Sequence, residues 1–420
     1  MIKIKITNKI HYQLWLVILS FIILLGIYSL ILSLVFTPEI FEFSLKIIWA
    51  LMVSNYIFFV VSGTGLCMIT SLGHIFGIKK YEQISKFGLY LAILTILFGM
   101  ISIGFHLGRP DRLIYNILTP NPVSAIWWMG TLYSFYLIFL LVEFWCLIRQ
   151  DLLKIAETKG GFKKRFYEML ALKGLWHKLI TYLPSITEHQ ISKIVGVLAL
   201  ITGMSATSTL GAVFGHTESR FFWYGGFYPS YMLISAFFSG LAWFLGTIIL
   251  IHKILNIVIE NSLKCLILEL SQILTLFLGL NMCLVSLKLW FGLDNIIEIM
   301  TIEILLTGPF KYSFWIFEIL LGNIIPITIL LYSIRRELLS GIMYASFFIL
   351  LGIFFARYNF LIVGQIYPLF NPLGKSPLEI IPSFFPTIFE IFLILGLFGG
   401  FLFCLSLGLK YLPILDKYKS

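Results

Sequence analysis

The chain has 420 residues, of which 59% are hydrophobic and only 12% are charged. Its mean hydropathy is +0.97. This composition excludes a water-soluble fold and a disordered chain, and it indicates an integral membrane protein. The formal net charge of +10 fits contact with anionic lipid, so we infer no nucleic-acid partner from it.

Apolar runs long enough to cross a bilayer occur ten times along the chain. A helix needs about 20 mostly apolar residues to span a hydrocarbon core about 30 Å thick. The predicted fold class is therefore all-α, with almost no soluble domain. The predicted spans are residues 12–36, 47–72, 87–105, 123–148, 191–210, 227–251, 266–287, 313–332, 338–355 and 383–409.

Lysine and arginine mark one side of the predicted spans. They concentrate in the N-terminal segment, in every second loop after it, and at the C-terminal end. Because cytoplasmic loops are enriched in these residues, both termini are expected in the cytoplasm of a prokaryote, with the chain in its inner membrane. The few positive residues expected outside are Lys46, Arg109, Arg112, Arg220, Lys288, Lys311, Arg357 and Lys375.

The cysteines and histidines of the chain are not spaced as haem, iron-sulfur or other metal sites require. The five cysteines stand singly, with no C-x-x-C, and the histidines fall at predicted helix ends or in loops. A membrane cytochrome needs opposed histidines within the bilayer to hold haem. We therefore expect no haem, no iron-sulfur cluster and no metal site in this chain.

Acidic residues within the spans are costly and are functional candidates. Glu143 lies in the cytoplasmic third of the fourth span, while Glu318 and Glu390 lie about two turns from the outer ends of theirs. For each of these three, a functional and a purely structural role have similar weight. Glu269, close to Lys264, is expected at the membrane surface.

Polar and aromatic groups converge near the outer leaflet. An aromatic belt with loop charges would explain part of this set. The alternative is a pocket for an uncharged aromatic head group that gains or loses protons, which a histidine would serve. The residues concerned are Asn55, His106, Arg109, Arg112, Trp127, Trp128, Thr207, Ser208 and His216.

Several motifs in order along the chain resemble the NrfD family, the membrane subunits of polysulfide reductase and related quinone-linked complexes. The most specific is HLGRPDR at 106–112 followed by NPVSAIWWMG at 121–130. STLGAVFG at 208–215, SAFFSGLA at 235–242, RYNFLIVGQ at 357–365 and PSFFPTIFE at 382–390 follow. The resemblance runs from about Ile47 to Glu390 and is best to the ten-helix branch of the family.

The resemblance implies a domain plan for the chain. Residues 1–40 would hold an extra N-terminal helix, and residues 41–225 a first four-helix bundle with a quinone site near the outer surface. A second, pseudo-symmetric bundle would occupy 226–356, and an outer loop with a last helix 357–420. The family subunit holds no cofactor of its own.

The resemblance also implies a function. The chain would exchange electrons between a membrane quinone, menaquinone or ubiquinone, and an extracytoplasmic iron-sulfur subunit, with a catalytic or multihaem subunit beyond it. The chain would thus be a respiratory oxidoreductase subunit without the catalytic centre. Two positions depart from the family pattern: many relatives have an acid where this chain has His106, and some a histidine where it has Ala206. These departures leave the proton-transfer residues open.

The hypothesis from the sequence is two-electron, two-proton exchange at a quinone near the outer leaflet. His106 and Asn55 would hydrogen-bond the ring oxygens, since a histidine has an ordinary pKa of about 6.5. Trp128 would pack on the ring, Arg109 and Arg112 would order the loop and dock the partner, and Glu143 would admit protons from inside. The rivals are a secondary transporter, which usually has broken helices and a mid-membrane site, and a purely structural anchor.

Overall fold

The computed structural model describes residues 9–35, 49, 51–107, 113–174, 187–366 and 386–415. Ten helices in these ranges are long and apolar enough to cross a membrane, which confirms the predicted number. They are α1 (Lys9–Val35), α2 (Leu51–His74), α3 (Lys79–His106), α4 (Ala125–Glu157), α5 (Glu188–Gly215), α6 (Phe227–Ile254), α7 (Asn261–Phe291), α8 (Ser313–Arg336), α9 (Leu339–Ile366) and α10 (Ile388–Tyr411).

Short helices lie between some of these spans. They are Tyr115–Leu118 before α4, Gly161–Leu170 after it, and the pair Gly292–Asp294 and Ile296–Leu306 between α7 and α8. The described part of the chain contains no strand, as an all-α fold requires. The backbone of a bilayer-spanning segment must satisfy its hydrogen bonds internally, which a helix does.

Helix ends account for the main differences from the predicted spans. Helix α3 begins at Lys79 rather than 87, and α4 continues to Glu157 rather than 148. Helix α9 continues to Ile366 instead of ending at 355. Hydropathy detects only the part of a helix that lies in hydrocarbon, so polar turns beyond it were assigned to loops.

The extension of α9 corrects the placement of Arg357, which the sequence assigned to an outer loop. Arg357 lies inside the helix and is 1% exposed. The expected division between residues 356 and 357 therefore falls within α9. The other boundaries of the four expected segments stay predictions. The pseudo-symmetry between the two bundles is also still a prediction.

Side chains at the helix ends explain where several spans begin and end. The Ser124 hydroxyl accepts a hydrogen bond from the backbone N–H of Trp127 at the start of α4. Thr187 and Gln190 form a reciprocal capping box at the start of α5. At the end of α8, Glu337 adopts a left-handed conformation with φ of 53°, which stops the helix before α9.

Helix packing forms two rings of four neighbours. Helices α2, α3, α4 and α5 contact one another in that order and close back on α2. Helices α6, α7, α8 and α9 close a second ring in the same way. The rings join where α2 and α5 pack on α6, and α2 also packs on α9. Helices α1 and α10 pair with each other, and α10 attaches them to α3.

Glycines set the closest approach between the rings. A Cβ atom at Gly65 of α2 would overlap the Ala236 carbonyl of α6, and one at Gly240 of α6 would overlap the Gly65 backbone. The backbones of the two helices are therefore in direct contact. Close backbone approach at small residues is typical of helix association in membranes, where lipid gives no hydrophobic drive.

Candidate functional site

Asn55 and Ser102 pair between α2 and α3, near the predicted outer end of both helices. Asn55 is fully buried, and its Nδ2 donates to Ser102 Oγ at 3.1 Å. Ser102 Oγ in turn donates to the Met52 carbonyl at 2.9 Å. Within the described residues, Asn55 Oδ1 has no hydrogen-bond partner. A buried acceptor without a partner is uncommon, so this oxygen is available to a donor from a bound molecule.

His106 lies one helical turn beyond Ser102 on α3, at the last residue of the helix. Residues four apart share a helix face, so the imidazole lies on the same side of α3 as the Asn55–Ser102 pair. His106 is half-buried. His106 and the Asn55–Ser102 pair thus lie at the same end of the first ring, and their joint role in one site stays a prediction.

The aromatic pair at the start of α4 is fixed by the loop before it. Trp127 Nε1 donates to the Asn116 carbonyl at 2.6 Å, and Trp128 Nε1 donates to the Pro122 carbonyl at 2.8 Å. The two rings meet edge to face at 4.9 Å. Trp128 is 43% exposed. Its described contacts are with the loop and with Trp127. Arg109 and Arg112 lie outside the described residues.

Thr207 belongs to a buried group of hydroxyls between α2, α4 and α5. Its Oγ1 donates to Thr64 Oγ1 at 2.8 Å, and the Tyr133 hydroxyl lies 3.2 Å from it. Tyr133 also meets Tyr56, the neighbour of Asn55, with ring centroids 6.2 Å apart. Tyr133 therefore links Thr207 to Tyr56, the residue that follows Asn55 in α2.

Two other candidates stand apart from this buried group. Ser208 follows Thr207 on α5 but is half-exposed. His216 is exposed at the end of α5, where its Nδ1 lies 2.7 Å from the Ala212 carbonyl. No described contact brings either residue to Asn55.

Glu143 lies deeper in the first ring, on the face of α4 that holds Tyr136. It is 1% exposed, and its carboxyl group packs against Gly196 of α5, where a Cβ atom would lie 2.8 Å from Oε1. In the part of the chain that is described, Glu143 Oε2 has no hydrogen-bond partner. Tyr136, two turns towards the outer side, donates from its hydroxyl to the Gly63 carbonyl at 3.0 Å.

A line of buried polar groups thus runs through the first ring. It leads from Glu143 past Tyr136 to Thr64, Thr207 and Tyr133, whose ring meets Tyr56, the residue that follows Asn55 in α2. The sequence predictions did not include Tyr133, Tyr136 or Thr64. The spacing of Tyr133, Tyr136, Leu140 and Glu143 at helical intervals on α4 could have identified the face, because all four lie on one stripe.

The second ring holds a separate buried group. Asn359 Nδ2 donates to Glu318 Oε2 at 2.7 Å, and Ser313 Oγ donates to Asn359 Oδ1 at 2.5 Å. Arg357 Nη2 donates to Ser235 Oγ at 2.5 Å. Glu318 lies on a π-helical stretch of α8, Ser313–Ile324, a rare geometry that is frequent at functional sites. The partner of Glu318 in the described chain is thus Asn359, a residue that the sequence prediction had placed in a loop.

The remaining acidic candidates have structural explanations. Glu390 completes a capping box with Thr387 at the start of α10. Glu269 accepts from Lys80 Nζ at 2.5 Å and from the Tyr81 hydroxyl at 3.2 Å. Both carboxylates are thus held by neighbours at helix ends.

The loop between α5 and α6 is anchored to α9. Arg220 Nη1 donates to the Gln365 carbonyl at 2.7 Å, and Trp223 Nε1 donates to the Phe360 carbonyl at 2.8 Å. Partial burial lowers the pKa of the Arg220 guanidinium. Gln365 also bonds the backbone of Trp49 in both directions, at 2.9 Å and 2.7 Å. These bonds join the two rings at the end where α2 begins and α9 finishes.

Possible metal ligands are dispersed in the described chain, where no three His, Cys, Asp or Glu residues group together. The expectation that this chain holds no haem and no cluster stays a prediction.

Comparison with known proteins agrees with the resemblance. Over 416 residues the chain is 26% identical to a selenate reductase component of Mesobacillus selenatarsenatis, covering 97% of this chain and 96% of that protein. Over 430 residues it is 22% identical to the Hdr-like menaquinol oxidoreductase integral membrane subunit of Archaeoglobus fulgidus, covering 98% and 95%. The family model described as polysulphide reductase, NrfD, matches residues 39–368, and the chain belongs to this family.

Proposed function

We propose that this chain is the quinone-interacting membrane subunit of a respiratory oxidoreductase complex. The observation that carries the proposal is the buried, unpartnered Oδ1 of Asn55, whose amide is held by Ser102, the residue one helical turn before His106 on α3. Family membership and a relative named as a menaquinol oxidoreductase subunit support it. Quinone is the substrate class that such a site fits, because its oxygens exchange protons and its ring is apolar.

The chemistry assigned to the site is the exchange of two electrons and two protons. A quinol that loses both becomes a quinone, and the electrons leave to a partner subunit. Asn55 Oδ1 accepts a hydrogen bond from one quinol hydroxyl, while Ser102 holds the amide in place. His106 takes the proton of the other hydroxyl as a general base, a role that histidine serves near neutral pH. The proton of the hydroxyl on Asn55 leaves to water at the mouth of the site, because an amide oxygen does not take it up.

Other candidate residues have lesser roles in the proposal. Trp128, Thr207, Ser208 and His216 were candidates for ring contact. Of these, Thr207 belongs to the polar line that reaches Asn55, and Trp128 orders the loop at the mouth of the site. Arg109 and Arg112 order that loop and dock the partner.

Glu143 is the proposed entry point for protons from the inner side. Its Oε2 has no partner among the described residues, and the hydroxyls of Tyr136, Thr64, Thr207 and Tyr133 lie between it and Asn55. The polar line contains gaps that a proton would cross by side-chain rotation or through water. Whether protons leave outward or arrive from inside decides if quinone turnover at this site conserves energy.

The partner in the proposal is an extracytoplasmic iron-sulfur subunit docked on the outer loops, with a catalytic or multihaem subunit beyond it. The named relatives are themselves subunits, which supports an assembly. The chain lies in the prokaryotic inner membrane with both termini in the cytoplasm. This orientation follows from the charge of the loops.

The transporter alternative is not favoured. Family membership and the named relatives associate the chain with oxidoreductase subunits. A structural anchor would need no buried acceptor at the Asn55 position.

Purification of the chain from membranes with its neighbours tests the proposal. The expected preparation contains an iron-sulfur protein and extractable quinone, and it shows no haem absorption from this chain. Purification as a lone protein that moves a solute into vesicles would contradict the redox assignment. A complex without bound or exchangeable quinone would favour the anchor.

A further inference from the structure

A groove opens on the lipid-facing surface of the second ring, between α7 and α8. It lies away from the buried polar groups described above. Its volume is about 620 Å³. Along α7 it extends from Gln272 to Cys283, at helical spacing on one face, and along α8 it ends at Arg335. Eleven residues of helix rise about 16 Å, which is about half the thickness of a hydrocarbon core of about 30 Å.

The walls of the groove suit a hydrocarbon chain. Leu276 is 72% exposed and Leu331 is 47% exposed, so apolar side chains of both helices face the surrounding lipid. Between them, Gly279 has no atom within 4 Å of the position that a Cβ would occupy. A chain lying in this space would contact both helices at once, whereas a chain on a convex helix face contacts one.

The charge at the end of the groove is positive and uncompensated. Arg335 is exposed near the end of α8, and no described residue forms an ion pair with it. The neighbouring opposite charges, Lys264 and Glu337, neutralise each other at 2.5 Å. Arg336 adds a second positive charge next to Arg335 but does not line the groove. A guanidinium in this position favours a phosphate group, which it can bind through two parallel hydrogen bonds.

We propose that this groove binds one acyl chain of an anionic phospholipid, with the lipid phosphate on Arg335. The apolar walls determine where the chain lies, and the uncompensated cation selects a head group with net negative charge. This site is independent of the quinone site, because it lies in the other ring and shares no residue with it.

Native mass spectrometry of the delipidated full chain, purified with its subunits, measures the binding directly. Titration with phosphatidylglycerol and with phosphatidylcholine compares a negative head group with a neutral one. Phosphatidylglycerol is expected to bind about fivefold more tightly, since a basic residue near the membrane surface contributes about 1 kcal/mol. Arg335→Gln removes this preference, whereas the matched control Arg336→Gln keeps most of it.

A second variant tests the groove itself without changing charge. Gly279→Phe fills the open space and is expected to weaken the binding of both lipids, with the preference between them unchanged. Because no atom lies near that position, the variant should melt at the same temperature as the parent chain, which reports on folding separately.

Four results would overturn the proposal. Equal affinity for the two lipids would show that charge is not recognised, and equal losses in the two arginine variants would show that Arg335 is not special. Displacement of the lipid by inorganic phosphate would indicate a site for a free anion. A photocrosslinker on Cys283, in a Cys265→Ser background, that captures a helix of another subunit would identify a protein as the occupant.

Discussion

At the scale of single residues, the proposed site contains two buried polar atoms of the first ring that lack a hydrogen-bond partner among the described residues. Most buried serine and threonine side chains in the described helices bond to a carbonyl three or four residues earlier, as Ser62 and Ser346 do. Asn55 Oδ1 and Glu143 Oε2 have no such partner within the described chain. Leaving such a group unpaired costs about 1–3 kcal/mol, so its retention points to a bound molecule or to proton exchange.

His106→Ala is expected to slow quinol oxidation by roughly 100-fold, because a general base contributes about that much or more. The pH dependence of the rate should flatten around the pH at which the imidazole titrates. His216→Ala is the matched control, since His216 is exposed at the end of α5. Steady-state oxidation of a soluble quinol by the purified complex over a range of pH measures both. An unchanged rate and profile in His106→Ala would remove His106 from the proton chemistry.

Glu143→Gln is expected to interrupt proton exchange with the inner side while electron transfer continues. The amide keeps the shape of the side chain but cannot release a proton. Glu318→Gln is the control, because it replaces another buried acid, which lies in the second ring. A pH-sensitive dye inside proteoliposomes follows the protons during quinol turnover. The assignment of Glu143 fails if the internal pH change is as large in Glu143→Gln as in the parent.

The residue scale also shows what the sequence could predict. Asn55 and Glu143 were proposed from polarity in apolar spans and His106 from its position at the end of one, because a polar group in or beside a span is rare and visible in the sequence alone. Tyr133, Tyr136 and Thr64 were missed, since hydroxyl-bearing residues are common in membrane helices and become informative only when their partners are known. Hydrogen-bonded pairs such as Asn359–Glu318 depend on which helices are neighbours. The sequence of a single span does not show its neighbours, so such pairs could not be predicted.

At the scale of helices, hydropathy located all ten spans but not all of their ends. The errors were largest where polar residues continue a helix, as at Arg357 and Gln365 in α9. These side chains are buried by the neighbouring helices rather than exposed to water. The π-helical stretch of α8 was also not predictable, because it has no signature of composition.

Gly240→Ala is expected to destabilise the contact between α2 and α6. An added methyl group would overlap the Gly65 backbone, which cannot move aside as a side chain can. Overpacking of this kind costs about 1–3 kcal/mol. Gly279→Ala, which meets open space, serves as the control. Thermal unfolding of the detergent-solubilised complex should show a lower midpoint for Gly240→Ala alone, and equal midpoints would mean that the two helices can separate freely.

At the scale of the whole molecule, the first and last helices form a pair. This pair is attached to the first ring through α3. The Tyr12 hydroxyl donates to the Ser406 carbonyl at 3.1 Å, and Trp15 Nε1 donates to Ser406 Oγ at 3.1 Å. The start of α1 and the end of α10 therefore lie on the same side of the membrane. An even number of spans requires this, and the loop charges predict which side it is.

Reporter fusions test the predicted side. A C-terminal fluorescent protein that matures only in the cytoplasm should be bright, and alkaline phosphatase at the same position should be inactive. Fusion of both reporters after residue 291, in the loop that follows α7, should give the opposite result. Active phosphatase at the C-terminus would invert the orientation and move the proposed quinone site to the inner leaflet.

The central claim is that quinone exchanges electrons with an iron-sulfur partner at the Asn55 site. Rapid mixing of the purified complex with quinol, while the absorbance of the partner's clusters is followed, measures this exchange. Asn55→Leu should slow it about tenfold or more, because a hydrogen bond to the ring oxygen is lost. Asn281→Leu, which removes a similarly half-paired asparagine from the second ring, should leave it within about twofold of the parent. Equal cluster reduction in the parent and in Asn55→Leu would contradict the assignment.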